Sequence, residues 1–179
     1  MLQVGDVLDF GPSLGYKFFI KKTAAETNGR SLEMEWELNP HSGDMGIRPR
    51  THIHPQAIET YEVLQGKFDV YVHGAWKTLS TGEHVAVEKG MPHSFRNTSN
   101  ETTRVYNTHQ PAMRFDQYFE TVCKLTNSDV IRPDQITFKA LLYFSILQTR
   151  YKDEFQFVSP PYVIFQIFGF IGRLLGYKV

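Results

Sequence analysis

Three histidines and one glutamate, His52, His54, Glu59 and His93, are of the types that bind a divalent transition metal. His52 and His54 lie two apart in T-H-I-H, and alternate residues of a strand point to one face. Glu59 opens the apolar run E-T-Y-E-V-L-Q, and His93 sits in a separate strand candidate, P-H-S-F-R-N. If those three segments are neighbours in one sheet, four ligands converge on a point. A core does not bury such groups unpaired, because buried charged or half-protonated side chains need partners or a cation. Three neutral imidazoles and one carboxylate leave a divalent ion with net positive charge and, in octahedral geometry, two positions for a substrate. Iron(II), manganese(II), nickel(II), cobalt(II) and zinc all suit such mixed nitrogen and oxygen ligation. The ion would serve as Lewis acid and orienting template. Its binding should weaken as pH falls below the reference histidine pKa of about 6.5, since ligand imidazoles must be neutral.

Glycines at fixed intervals frame the ligands. Gly46 is followed after five residues by His52, then x, His54, four residues, Glu59, six residues and Gly66. Fifteen residues later Gly82 opens a second block, with Glu88, Gly90, His93 and Asn97 in step. The pattern resembles the two motifs of the cupin superfamily, G-x5-H-x-H-x3-4-E-x6-G and G-x5-P-x-G-x2-H-x3-N. The interval matches the family's short form. Glu88 stands where the family has proline, which touches loop rigidity rather than metal binding, because Gly90 still permits the bend. The resemblance implies a jelly-roll topology, a small-molecule ligand and a homodimer formed through the sheets.

The elements that must position these residues are mostly strands. Candidates are 16–26, 30–38, 51–54, 59–65, 67–73, 76–79, 83–88, 93–97 and 102–108. Asn28-Gly29 is the strongest hairpin signal, and Q-G-K and H-G-A read as further hairpin turns around K-F-D-V-Y-V-H. Many short strands with frequent turns suggest an antiparallel sandwich or barrel. The fold class expected is thus an antiparallel double-stranded β-helix over residues 1–111, with a helical extension over 112–179 packed on it. Alternation puts Tyr61 on the face of Glu59, and Phe95 and Asn97 on that of His93, so Tyr61, Phe95 and Asn97 are candidates for a substrate pocket. Tyr61 and Phe95 fit an ordinary aromatic core equally well. His41, His73, His84 and His109 are read as ordinary core or surface histidines.

After about Pro111 the periodicity becomes helical. Phe115, Tyr118, Phe119, Val122 and Cys123 define an amphipathic helix over 114–125. A second helix runs from Pro133, through Ile136 and Leu141, to about Arg150. Pro160-Pro161 stops the chain before the apolar stretch 162–175. That stretch is too short to span a membrane, which takes about 20 apolar residues. Val163, Ile164, Ile167, Phe168, Ile171, Leu174 and Leu175 form a wide stripe on it. The first expectation is packing on the barrel or on the preceding helix. A dimer contact comes second and contact with a membrane surface third.

Composition narrows the function classes. Of 179 residues 41% are hydrophobic, enough for one sizeable core. Nineteen basic residues balance nineteen acidic ones, so there is no electrostatic footprint for nucleic acid. Cys123 is the sole cysteine, and M-L-Q-V-G-D-V-L-D-F has no signal-peptide pattern, so a cytoplasmic protein is expected. The function expected is a metal-dependent enzyme acting on a small organic molecule, of the non-haem iron dioxygenase type. The alternatives are a non-catalytic binding or sensing module and a sugar isomerase or epimerase. The last needs a proton-transfer pair, for which Tyr61 and His84 are the candidates; the sequence names no catalytic residue.

Overall fold

The structure is a computed structural model and describes residues 2–43, 50–128, 130 and 137–179. The elements, in chain order, are β1 Val7–Asp9, α1 Gly11–Leu14, β2 Tyr16–Lys22, β3 Leu32–Leu38, β4 His52–Ile53, β5 Ile58–Gln65, β6 Lys67–Val72 and β7 Ala75–Ser80. They continue with β8 His84–Val87, β9 Ser94–Arg96, β10 Thr103–Gln110, α2 Phe115–Asn127, α3 Phe138–Arg150, β11 Gln156–Phe157 and α4 Tyr162–Leu174. All strand pairs are antiparallel. One sheet has the order β1-β2-β3-β10-β5-β8, and a second has β7-β6-β9. The second sheet is continued by a bridge in which His52 and His93 exchange backbone hydrogen bonds of 3.0 and 2.9 Å, leading to the pair β4-β11. This is the expected antiparallel double-stranded β-helix with a helical extension.

Alternation dictates which side chains meet inside. From the first sheet come Tyr16, Phe18 and Ile20 of β2, then Leu32, Met34, Trp36 and Leu38 of β3. Phe68, Val70 and Val72 of β6 face them from the second sheet. Trp36 is the centre of an aromatic cluster, stacked on Phe18 with ring centroids 4.3 Å apart and in contact with Phe95 at 4.9 Å and Tyr61 at 5.6 Å. Along β5 and β10 the inward residues change from apolar to polar. Val63 and Val105 give way to Tyr61 and Asn107, and these to Glu59 and His109, each pair directly opposite in register. One end of the barrel interior is therefore polar.

Burial pushes the Tyr16 and Tyr118 phenols up in pKa, and burial together with the Glu59 carboxylate pushes Tyr61 up. A group whose folded pKa is raised contributes stability that is complete below its unfolded pKa and lost above it. The fold should thus weaken as pH rises beyond about 10. In a spectrophotometric titration these phenols should ionise together with loss of structure. Ionisation near pH 10 with the fold intact would contradict their burial.

Several local expectations are corrected. The first predicted strand stops at Lys22 because Thr23-Ala24-Ala25-Glu26 forms a capping box, with Thr23 N–H donating to Glu26 and Glu26 N–H to Thr23 Oγ1. Asn28 and Gly29 both take positive φ and return the chain into β3 across a longer loop than a two-residue turn. His73-Gly74 is a two-residue hairpin turn between β6 and β7, as predicted. Gln65-Gly66-Lys67 is not a hairpin turn, because β5 and β6 belong to different sheets; Gly66, at φ 79°, takes the chain across. Where proline was expected, the Glu88 carbonyl accepts Met91 N–H, and Gly90 makes the bend at φ 71°. Strands β1 and β11 were not anticipated. Gly46 lies outside the described residues.

The helices also shift. Helix α3 begins at Phe138, where the Thr137 side chain accepts Ala140 N–H; Pro133 and Ile136 lie outside the described residues. Helix α4 does pack on the preceding helix, but through Phe165, Gly169 and Gly172. A Cβ at Gly169 would stand 2.9 Å from the Ser145 carbonyl, so the glycines set how closely the helices approach. Much of the predicted apolar stripe consequently faces outward, with Val163, Ile167, Leu174 and Leu175 between 51% and 72% exposed. Among the described residues no helix is long and apolar enough to cross a membrane.

Candidate metal centre

The four predicted ligands come together. The donor atoms of His52, His54, Glu59 and His93 all lie within 4.8 Å of one another, and all four side chains are buried. His52 opens β4, which the bridge to His93 ties to the second sheet, and His54 lies just past its end; Glu59 reaches in from β5 of the first. Opposed ligands at bond lengths of roughly 2.1 Å would stand about 4.2 Å apart. A set this close together is compact enough to share one ion.

Hydrogen bonds behind the imidazoles decide what they offer. His52 Nδ1 meets the Arg50 carbonyl at 2.9 Å, His54 Nδ1 the Glu154 carbonyl at 2.7 Å, and His93 Nδ1 the Met91 carbonyl at 2.9 Å. A carbonyl only accepts, so each Nδ1 carries the proton and each Nε2 presents a lone pair. Two of these lone pairs face a single carboxylate oxygen, Glu59 Oε2, at 3.1 Å from His54 and 2.8 Å from His93. Acceptors gathered in this way need a cation between them. Burial, reinforced by neighbouring imidazoles, holds His52 well below the ordinary histidine pKa; burial also lowers His54, against the pull of Glu59. Burial alone would raise Glu59; whenever the His109 and His54 rings are protonated, their charge outweighs it and holds the carboxyl well below its usual range. The donor set fits a divalent transition metal.

Two further residues complete the surroundings of Glu59, and sequence reading missed both. Asn107 donates to Glu59 Oε1 at 2.8 Å, and His109 Nε2 lies 3.2 Å from the same oxygen. By sequence alone His109 reads as an ordinary core or surface histidine. Its signal was the alternation Thr103, Val105, Asn107, His109 in T-R-V-Y-N-T-H-Q. That pattern gains meaning only once β10 is known to pair with β5. Asn107 Oδ1 and His109 Nδ1 are buried without a hydrogen-bond partner among the described residues. They give the interior unmet polar capacity beside the four donors.

Residues 34–109 match the family model of the cupin domain. This segment of the chain is a cupin domain. Over 99 residues the cupin is 30% identical to the quercetin 2,3-dioxygenase of Bacillus subtilis, a match covering 55% of this chain and 29% of that protein. An uncharacterized protein of Aquifex aeolicus is 40% identical over 48 residues, 27% of this chain and 40% of that one. The chain thus spans less than half the length of either relative. Among solved structures, KdgF from Halomonas sp. superposes with a TM-score of 0.51 at 17% identity, covering 62% of this chain and 90% of that one. An RmlC-like cupin from Shewanella frigidimarina gives 0.51 at 19% identity, with 63% and 88% covered. At such identities the likeness concerns the fold.

The remaining candidates fall in different places. Tyr61 and Phe95 belong to the aromatic cluster around Trp36, with Tyr61 next to Glu59 along β5. Asn97 spends its amide on the Leu38, Asn39 and Glu101 carbonyls, while its Oδ1 accepts from Ser99, so both polar ends hold loop backbone. His84 is exposed and opposite Glu62, on the outer face of the sheet, so it forms no pair with Tyr61. His41 bonds Asn100 at the surface.

Proposed function

We propose that this cupin holds a divalent transition metal through His52, His54, Glu59 and His93 and acts on a small organic molecule in dioxygenase-type chemistry. One observation carries the metal reading: three imidazoles are locked by backbone carbonyls into the tautomer that presents Nε2, around a buried carboxylate. The bound ion would supply Lewis-acid activation and a template for substrate oxygens. The chain's own residues do the rest. Asn107 fixes Glu59 Oε1, leaving Oε2 for the centre. Phe115 and Phe155 pack against the ligand imidazoles and exclude water. Asn107 Oδ1 and His109 Nδ1 present unmatched polar atoms to whatever enters. An aromatic, largely apolar interior suits a phenolic or diketone substrate better than a sugar, and the likeness to a quercetin dioxygenase points the same way.

The test is metal analysis of freshly purified protein, followed by oxygen-electrode assays of iron-loaded material with phenols and diketones. One divalent ion per chain and substrate-dependent oxygen uptake are expected. An ion without uptake under any metal would remove the dioxygenase part and favour a binding module. Protein that takes up no ion would remove the whole reading.

A further inference from the structure

The family match ends at His109, yet the chain returns to the ligands from far beyond it. The segment after α3 lies along β4, with Gln156 opposite Ile53 and Phe157 opposite His52, and Val158 N–H donates to the Thr51 carbonyl at 3.0 Å. Phe155 stacks on the His52 ring with centroids 4.3 Å apart and planes 17° from parallel. The contact to His54 differs in kind from those to the other imidazoles. His52 and His93 are each held by a carbonyl two residues away in their own loops. His54 is held by the carbonyl of Glu154, one hundred positions along the chain.

Glu154 is itself pinned. Its carboxylate is buried and receives two hydrogen bonds from Arg114, at 2.8 and 3.0 Å, while Arg114 also donates to the Arg150 carbonyl at 2.9 Å. A buried carboxylate is costly without such pairing, and an apolar side chain would close a loop more cheaply. The ion pair joins the start of α2 to the turn after α3, and that turn carries the carbonyl that His54 uses.

We propose that the C-terminal extension is a working part of the metal centre, with Arg114 and Glu154 as positioning residues that latch the Glu154 carbonyl onto His54, and with Phe155 as the wall behind His52. The inference rests on the metal reading above. Releasing the latch lets His54 rotate or change tautomer, so the centre loses one pre-arranged donor while its ligand side chains stay intact.

The experiment compares wild type, Arg114→Met, Glu154→Gln, Arg114→Lys and Phe170→Ser, the last on the outer face of α4. Cobalt(II) affinity is read by chelator competition, the coordination by the cobalt visible spectrum, and the His54 tautomer by nitrogen NMR of metal-free protein. Arg114→Met and Glu154→Gln should lose about 10- to 100-fold in affinity, the range for losing a partner behind a ligand. Both should alter the cobalt spectrum and mix the His54 tautomers. Arg114→Lys should recover part of the loss, and Phe170→Ser should match wild type. If Arg114→Met fails to fold, Glu154→Gln, nearly identical in shape, decides the question. Latch variants that bind cobalt within threefold of wild type, with its spectrum, overturn the latch and leave the metal site standing. Wild type that binds no cobalt overturns the metal reading and the latch with it.

Discussion

Glu59→Gln should reduce affinity for a divalent ion by more than about 100-fold, yet leave the metal-free protein as stable as wild type or more so. A ligand's own loss should exceed the roughly 10- to 100-fold typical of a partner behind it. The stability change should have the opposite sign because of the local hydrogen bonding. In the metal-free protein Glu59, 1% exposed, turns Oε2 towards two Nε2 lone pairs, an arrangement of acceptors without a donor. A glutamine amide supplies the missing N–H groups to His54 and His93, and its carbonyl still accepts from Asn107. Replacing a buried charge by a matched neutral group is often neutral or stabilising. Chelator competition and thermal melts in excess chelator read the two effects separately. Retained affinity, or a large fall in melting temperature without metal, would show that Glu59 serves the fold rather than an ion.

Phe115→Ala should destabilise the protein by about 3–5 kcal/mol, the range for truncating a fully buried phenylalanine. Phe115 comes from α2, outside the family match, yet it is fully buried against His109, His54 and Phe119, with centroids at 4.2, 5.0 and 6.1 Å. Against a typical total of roughly 5–15 kcal/mol, that loss is a large share. Phe170→Ala, on the exposed face of α4, should change stability by less than about 0.5 kcal/mol. Denaturant unfolding of both variants checks the contrast. Equal effects would mean that the extension does not share the barrel's core.

The four-residue cluster was legible in the sequence because its residue types and spacing are chemically distinctive. His-x-His on a strand, a carboxylate and a third histidine between turn glycines are rare together unless something requires them. Strand alternation was legible too, since burying one face imposes period two on Leu32, Met34, Trp36 and Leu38. Asn107 and His109 obey the same alternation, but nothing local distinguishes them from the ordinary polar residues of a strand. Their role depends on β10 lying beside β5 in a register that sets His109 against Glu59. His84, equally plausible on paper, ended on the opposite face.

The amino-acid sequence by itself determined the four residues that cluster, the strand-rich cupin segment and the helical character of the extension, because those depend on residue types and spacings within short windows. Tertiary structure alone decided which way α4 faces, which histidine joins Glu59 and what holds His54. Each of these is a meeting of segments far apart along the chain. The carbonyl behind His54 belongs to a residue one hundred positions away, and a backbone carbonyl, being common to every residue, leaves no mark in a sequence.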